Sequence, residues 1–223
     1  GIEVFKQEKY YLLKKNVKII SDDFELTADF VKAYFEKDLY DITRIDSKGS
    51  VNLQAIQKNI KASGNKIDFF IKNEKIEITG KKSLLVTDKI EMRSDDIIKV
   101  NNSTGQFTIQ GPNSKLINNE VNISSFFIKG QFIESEKENQ VEKLFLEDNT
   151  QVNIKTNTLD MYALKANYDK KNNIIELFDK VRILSDNETI EGDYAKINTL
   201  NESYKVTSKK SDRVKVLLNN IDD

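Results

Sequence analysis

Two adjacent carboxylate pairs, Asp22/Asp23 and Asp95/Asp96, are the side chains whose type and spacing come nearest to chemistry. Paired carboxylates can hold a divalent cation or act as the acid and base of a hydrolase. Both pairs interrupt stretches of alternating apolar residues, where adjacent aspartates act as turn formers. Cysteine and histidine are absent. Their absence removes thiolate and imidazole metal sites, cysteine nucleophiles and the histidine-dependent serine triad together. The residues predict no catalytic site, no metal and no cofactor, so function has to be sought in surfaces.

Lysine and arginine number 35 against 36 aspartate and glutamate in 223 residues. Neutralising phosphates takes a basic surplus, so nucleic acid is not the expected partner. Apolar residues make up 38% and charged residues 32%, which suits a thin, extended core better than a thick one. No apolar run reaches the roughly 18–20 residues that span a bilayer. The chain opens at Gly1-Ile2-Glu3 without methionine, and we read this as a start from which an export signal has been removed.

The elements that must present a surface are strands. Apolar residues alternate at Val17/Ile19, Phe24/Leu26/Ala28/Phe30, Val51/Leu53, Phe107/Ile109, Val152/Ile154, Val181/Ile183, Ile190/Gly192/Tyr194 and Val214/Val216/Leu218. Period two puts one set of side chains on an apolar face and the other in water. One-sided strands of this kind belong to antiparallel sheets, which predicts an all-β fold. Polar breaks such as 101–105 and 169–173 read as hairpin turns. Pro112 after Gly111 marks a corner or a joint. Residues 134–140 read as a solvated loop, and a short helix over Gly1–Gln7 is left open.

The phrase Val17–Lys32 returns as Val181–Lys196, with a weaker copy over Val51–Lys66. Such self-similarity means one supersecondary unit used repeatedly. Ala28, Ala62 and Gly192 hold matching places in the copies; either the opposite wall comes close there or small residues merely fit the packing.

These residues resemble a known family. An opening segment (Ile2-Glu-Val4 to Tyr10) leads into a Val-x-Ile hairpin ending in Leu-x-Ala-Asp (Val17–Asp29). Then follow Lys32–Phe35, Ile45–Leu53, Ile60-Lys-Ala62 and Lys75–Gly80, and the stretch from Ile175 to Val216 repeats the pattern. The order is similar to that of the OstA-like, or LptA-type, lipopolysaccharide transport proteins of the bacterial periplasm. It covers residues 2–80 and 141–218 well and 81–140 loosely.

The resemblance implies an elongated open β-jellyroll of stacked antiparallel hairpins with little or no helix. It also implies two OstA-like units in tandem, 1–111 and 112–223. The function implied is non-enzymatic: binding of lipid A acyl chains and transport of lipopolysaccharide across the periplasm, as a bridge between inner- and outer-membrane transport components. The expected lipid contacts are Val17, Ile19, Leu26, Ala28, Phe30, Val51, Leu53, Phe107, Ile109, Val181, Ile183, Ile190 and Tyr194. Alternation alone places the same residues in a dry core, as in a structural β-solenoid or adhesin-like stalk, which is the alternative. Lys32, Lys66 and Lys196 meet lipid phosphates at a trough mouth or stand as solvated edge lysines. Tyr10–Leu13 and Val214–Leu218 are the expected edges: either they pair head to tail with another copy, or Lys14, Lys15, Arg213 and Lys215 blunt them and leave a monomer.

Overall fold

The computed structural model describes residues 1–22, 24–55, 59–135, 138–209 and 213–218, with backbone alone at 133–135 and 138–139. The chain divides into two compact units, Gly1–Pro112 and Asn113–Asp223. The first holds β1 (Ile2–Phe5), β2 (Tyr10–Ile20), β3 (Phe24–Phe35), β4 (Ile42–Ala55), β5 (Ile60–Phe70), β6 (Lys75–Thr79), β7 (Ser83–Val86), β8 (Glu91–Ser94), β9 (Ile97–Asn101) and β10 (Gln106–Gln110). The second holds β11 (Lys115–Ile117), β12 (Asn122–Ser124), β13 (Phe127–Ser135), β14 (Glu138–Lys155), β15 (Asp160–Asp169), β16 (Ile174–Leu184), β17 (Glu188–Asn198), β18 (Tyr204–Thr207) and β19 (Lys215–Leu218). Among the described residues one 3-10 turn, Ile71–Asn73, is the only helical element. The expected all-β jellyroll of antiparallel hairpins is the fold of the chain.

Two local expectations change. Ile2–Phe5 is a strand paired with Tyr10–Leu13, not a helix; its Ile-Glu-Val-Phe alternation has a neighbour to pair with. Within 134–140, β13 runs to Ser135 and β14 starts at Glu138, with Ser135 opposite Glu138. Residues 136–137 of that expected loop lie outside the described residues.

Long strands fold over at corners. In β2, Lys15 and Asn16 have φ of 69° and 49°; in β4, Gly49 and Ser50 have 81° and 46°; in β16, Asp179 and Lys180 have 60° and 51°. A single residue faces each left-handed pair: Asp29 opposite 15–16, Asn65 opposite 49–50 and Asp193 opposite 179–180. Two residues against one form a β-bulge, which bends the strand and increases its twist. Gly49, Gly80 and Gly111 recur at equal spacing along these corners, all with positive φ. A Cβ at Gly49 would run into the Asp29 side chain, and one at Gly80 would lie 2.6 Å from the Asn65 Cβ. Pro112 follows Gly111 at such a corner, where its carbonyl accepts from the Asp95 amide at 2.9 Å.

Each unit consequently has two walls. Residues 66–70 of β5 pair with β6 and 61–63 pair with β7. In the second unit, residues 194–197 of β17 pair with β18 and 188–191 pair with β19. The corner joins the walls on one side. In the second unit the hairpin tips meet in a seam on the other.

Candidate functional site

Cross-strand register assembles continuous apolar rows on the inner face of each wall. In the first unit one row runs Ile2, Leu13, Val31, Ser47, Ile67, Ile78, Ile98 and Ile109. The facing wall contributes Ile19, Leu26, Leu53, Ala62, Leu85 and Met92. The hydroxyl of Ser47, the polar member of its row, donates to the Ile67 carbonyl at 2.7 Å. In the second unit the rows are Ile128, Leu146, Ala166, Leu177, Ala195 and Val206, and Leu116, Ile123, Ile154, Met161, Ile183, Ile190 and Val216.

Of the expected contacts, Val17, Leu26, Ala28, Val51, Leu53, Phe107, Ile109, Val181 and Ile183 are buried on inner faces. Ile19 and Ile190 are half-buried members of the same rows. Phe30 and Tyr194 are on the other face: Phe30 lies level with Lys14 and Lys48, and Tyr194 with Phe178 and Thr207. The corner residues Asp29 and Asp193 each use one position without alternating, so the residue after them flips outward. Val31, Ala33 and Phe35 take the inward places in β3, and Ala195 and Ile197 in β17. Strict alternation missed these residues; the signal for them is the Ala-Asp or Gly-Asp step that resets the phase.

The repeat also re-aligns. Val17 faces Ala28, Val51 faces Gly64 and Val181 faces Gly192, so the small residue of the middle copy is Gly64 and not Ala62. Close approach holds at both glycines. A Cβ at Gly64 would lie 2.7 Å from Ile78 Cγ2, and one at Gly192 2.6 Å from Val206 Cγ1.

The three repeat lysines sit on outer faces of interior strands, neither at a mouth nor on an edge. Lys32 Nζ stands 3.8 Å from the centre of the Tyr10 ring and 4.8 Å from that of Tyr34. Lys66 pairs with Asp68, and Lys196 lies opposite Glu176 and Lys205. Arg44 joins the first cluster, 2.5 Å from Asp46 and 4.7 Å over Phe70. Asp68 is 8% exposed, and its Oδ1 has no hydrogen-bond partner.

The carboxylate pairs build turns. Asp95 accepts from the Lys82 amide at 2.9 Å, and Asp96 abuts the Gly111 corner. Asp22 lies in the turn closed by Ser21 and Phe24, and Asp23 lies outside the described residues. Among the described residues no group of three or more candidate metal ligands converges. Two grooves of about 390 and 250 Å³ open at corners, one beside Lys180, Arg182 and Asp193, the other beside Asn16, Asp29 and Ser50. Their lining is largely polar.

Among the described residues, the inner-face positions of β1 and β19 are apolar. Ile2 and Val4 on β1 are 63% and 45% exposed, and Val216 and Leu218 on β19 are 51% and 76% exposed. β1 replaces Tyr10–Leu13 as the strand beyond β2, because it pairs with that segment. At the other terminus β19 pairs with residues 188–191 of β17.

The seam of the second unit is polar. Lys170 Nζ binds both Glu120 oxygens at 2.8 and 2.7 Å, Thr158 donates to Glu202 at 2.8 Å, and the Tyr204 hydroxyl donates to Glu188. Burial, then the charges of Glu120 and Asp169, push the Tyr168 hydroxyl up to about 12. Tyr204 also rises to about 12 through burial and its bond to Glu188, and Tyr194 through its 2.6 Å bond to Glu176 and burial. Burial pulls the Asp148 carboxyl upward. Bonds from Thr150, Gln151 and Phe126 outweigh that and hold it below the usual carboxylate range.

No curated protein sequence matches the chain. Among solved structures, it is similar to LptH of Pseudomonas aeruginosa, the LptA-homologous periplasmic component of the lipopolysaccharide transport device. The TM-score is 0.49 at 11% identity, covering 59% of this chain and 95% of that one. The sequence profile described as LptA/(LptD N-terminal domain) LPS transport protein matches twice, over residues 3–106 and 99–203. Those matches span most of the sequence, and the chain belongs to the LptA/LptD N-terminal domain family of lipopolysaccharide transport proteins.

Proposed function

We propose that the chain carries lipopolysaccharide through the periplasm by seating lipid A acyl chains against the inner faces of two OstA-like units, 1–111 and 112–223. It acts without catalysis, as a bridge between inner- and outer-membrane transport components, and its terminal strands make the head-to-tail contacts. The observation that carries this reading is the pair of unfinished apolar rows. Inner-face positions remain apolar where they become exposed, at Ile2 and Val4 on β1 and at Val216 and Leu218 on β19. A core that served only itself would end in polar residues or be covered.

Magnitudes support continuous cover. Each acyl methylene withdrawn from water contributes ~0.8 kcal/mol, so a chain of about a dozen carbons is worth roughly 10 kcal/mol. Stepwise release into water would stall; movement along similar hairpins keeps the chain buried throughout. One observation favours a dry structural stalk instead: protein side chains fill the interior, with Ile109 and Leu177 wholly buried.

The chain has no tryptophan, so Val216→Trp gives a single reporter on the exposed inner face. Its emission should shift to the blue when lipid A is added to the intact chain. The deacylated glucosamine disaccharide should leave it unchanged. An unchanged spectrum with lipid A would overturn the lipid reading in favour of the stalk.

A further inference from the structure

We propose that the second unit is a latched jaw. Three polar clasps, Lys170–Glu120, Thr158–Glu202 and Tyr204–Glu188, hold its seam shut and set the rate at which a lipid reaches the interior. The role in loading rests on the lipid-binding reading above; the latch itself does not.

Register establishes that the clasps join opposite walls. Loops 118–121, 156–159 and 185–188 lie at the tips of the wall built from β11, β12, the far half of β14, the near half of β15 and the hairpin end of β16–β17. Loops 170–173 and 199–203 lie at the tips of the wall holding residues 165–169, 174–178 and 194–197. Glu120, Thr158 and Glu188 belong to the first set. Lys170, Glu202 and Tyr204 belong to the second. Every clasp therefore crosses the seam, and on the other side the walls are covalently continuous where β14, β15, β16 and β17 pass the corner at 148–151, 163–164, 179–180 and 193. A jaw hinged on one side and tied at the tips on the other opens by breaking the ties.

The chemistry suits a catch that yields. Each acceptor is a glutamate carboxylate, so the bonds are charge-assisted and stronger than neutral ones. They sit at the rim, where water can replace a lost partner and opening leaves no polar group stranded. Leu159, Ile175, Ile183 and Ile197, in or within a few residues of the tip loops, are all buried. Tip contacts in the first unit run along a wall: Lys72 with Glu36, Asn102 with Glu74 at 2.9 Å, and Asn59 with Asp88. The two units thus differ at the rim although their inner faces are alike.

The test uses the intact chain carrying Thr158→Val, Lys170→Met and Tyr204→Phe together, which removes the donors and keeps the bulk. Without lipid, amide exchange at 156–160, 170–174 and 199–204 should quicken about tenfold, the loss of some 1.4 kcal/mol of local closure. Val181 and Gly192 at the corner should keep their rates. Unchanged seam exchange, or an equal rise at the corner, would overturn the latch. With lipid A, the triple variant should load about tenfold faster than the parent chain, and equal rates would overturn the gating role. Faster seam exchange with lipid A bound by neither protein would retain the latch and reject the lipid reading.

Discussion

At the scale of single residues, one residue per corner, Asp29, Asn65 or Asp193, decides which side chains see the interior. Asp29 and Asp193 reset the alternation, which is why Phe30 and Tyr194 face outward although their spacing from Ala28 and Gly192 reads as inward. The Ala-Asp and Gly-Asp steps are plain in the sequence. Their effect on phase is not, because it depends on a left-handed pair in the neighbouring strand. Gly192 is crowded by backbone as well as side chain: an added Cβ would also lie 2.9 Å from the Thr207 carbonyl oxygen. Gly192→Val should cost about 1–3 kcal/mol of stability by overpacking, read as a lowered midpoint in urea. Asp148 fixes another corner by accepting from the Phe126 and Thr150 amides at 2.7 Å and the Thr150 hydroxyl at 2.6 Å. Asp148→Ala should cost about 1–3 kcal/mol. Because its carboxyl is held low, the parent chain should lose this contribution as pH falls below about 4, through the folded-state value. The alanine variant should lack that acid-dependent part of the denaturation curve.

Hairpins were legible as elements wherever alternation was strong, as at Val51/Leu53 and Phe107/Ile109. β1 was not, since four residues give too short a pattern to separate strand from helix. Residues 134–140 misled for a different reason: β13 and β14 extend there in polar residues, and composition reports solvation before it reports pairing. The seam had no signature at all, because Glu120 and Lys170 meet only through the pairing of β12 with β14 and of β14 with β15. Three tyrosines give the second unit a pH dependence. Tyr168, Tyr194 and Tyr204 are raised to about 12, against an ordinary value near 10. Stability from these groups is complete below about pH 10 and is lost between about pH 10 and 12, where the unfolded chain ionises first. Thermal midpoints should fall across that window in the parent chain. Tyr194→Phe with Tyr204→Phe should flatten the fall.

For the whole molecule, the twice-used phrase Val17–Lys32 and Val181–Lys196 carried most of the fold, because it fixed the antiparallel hairpin as the building block. The family followed from the order of weak motifs, and the profile matches over 3–106 and 99–203 agree with it. What alternation could not provide was the difference between a core and a seat for a ligand, since both demand the same buried Val and Ile. The exposed inner-face residues of β1 and β19 are the observation on which the proposed lipid reading rests. The proposed head-to-tail contact would use the same residues. Val216→Asp with Leu218→Asp should weaken self-association at least tenfold in sedimentation experiments.

A photo-crosslinking amino acid at Ile183, compared with one at Phe30, asks the central question with the intact chain and lipopolysaccharide. Lipid adducts at Ile183 and none at Phe30 are the predicted result. Protein-only adducts at Ile183, or equal lipid adducts at both positions, would contradict an inner apolar face that carries the acyl chains.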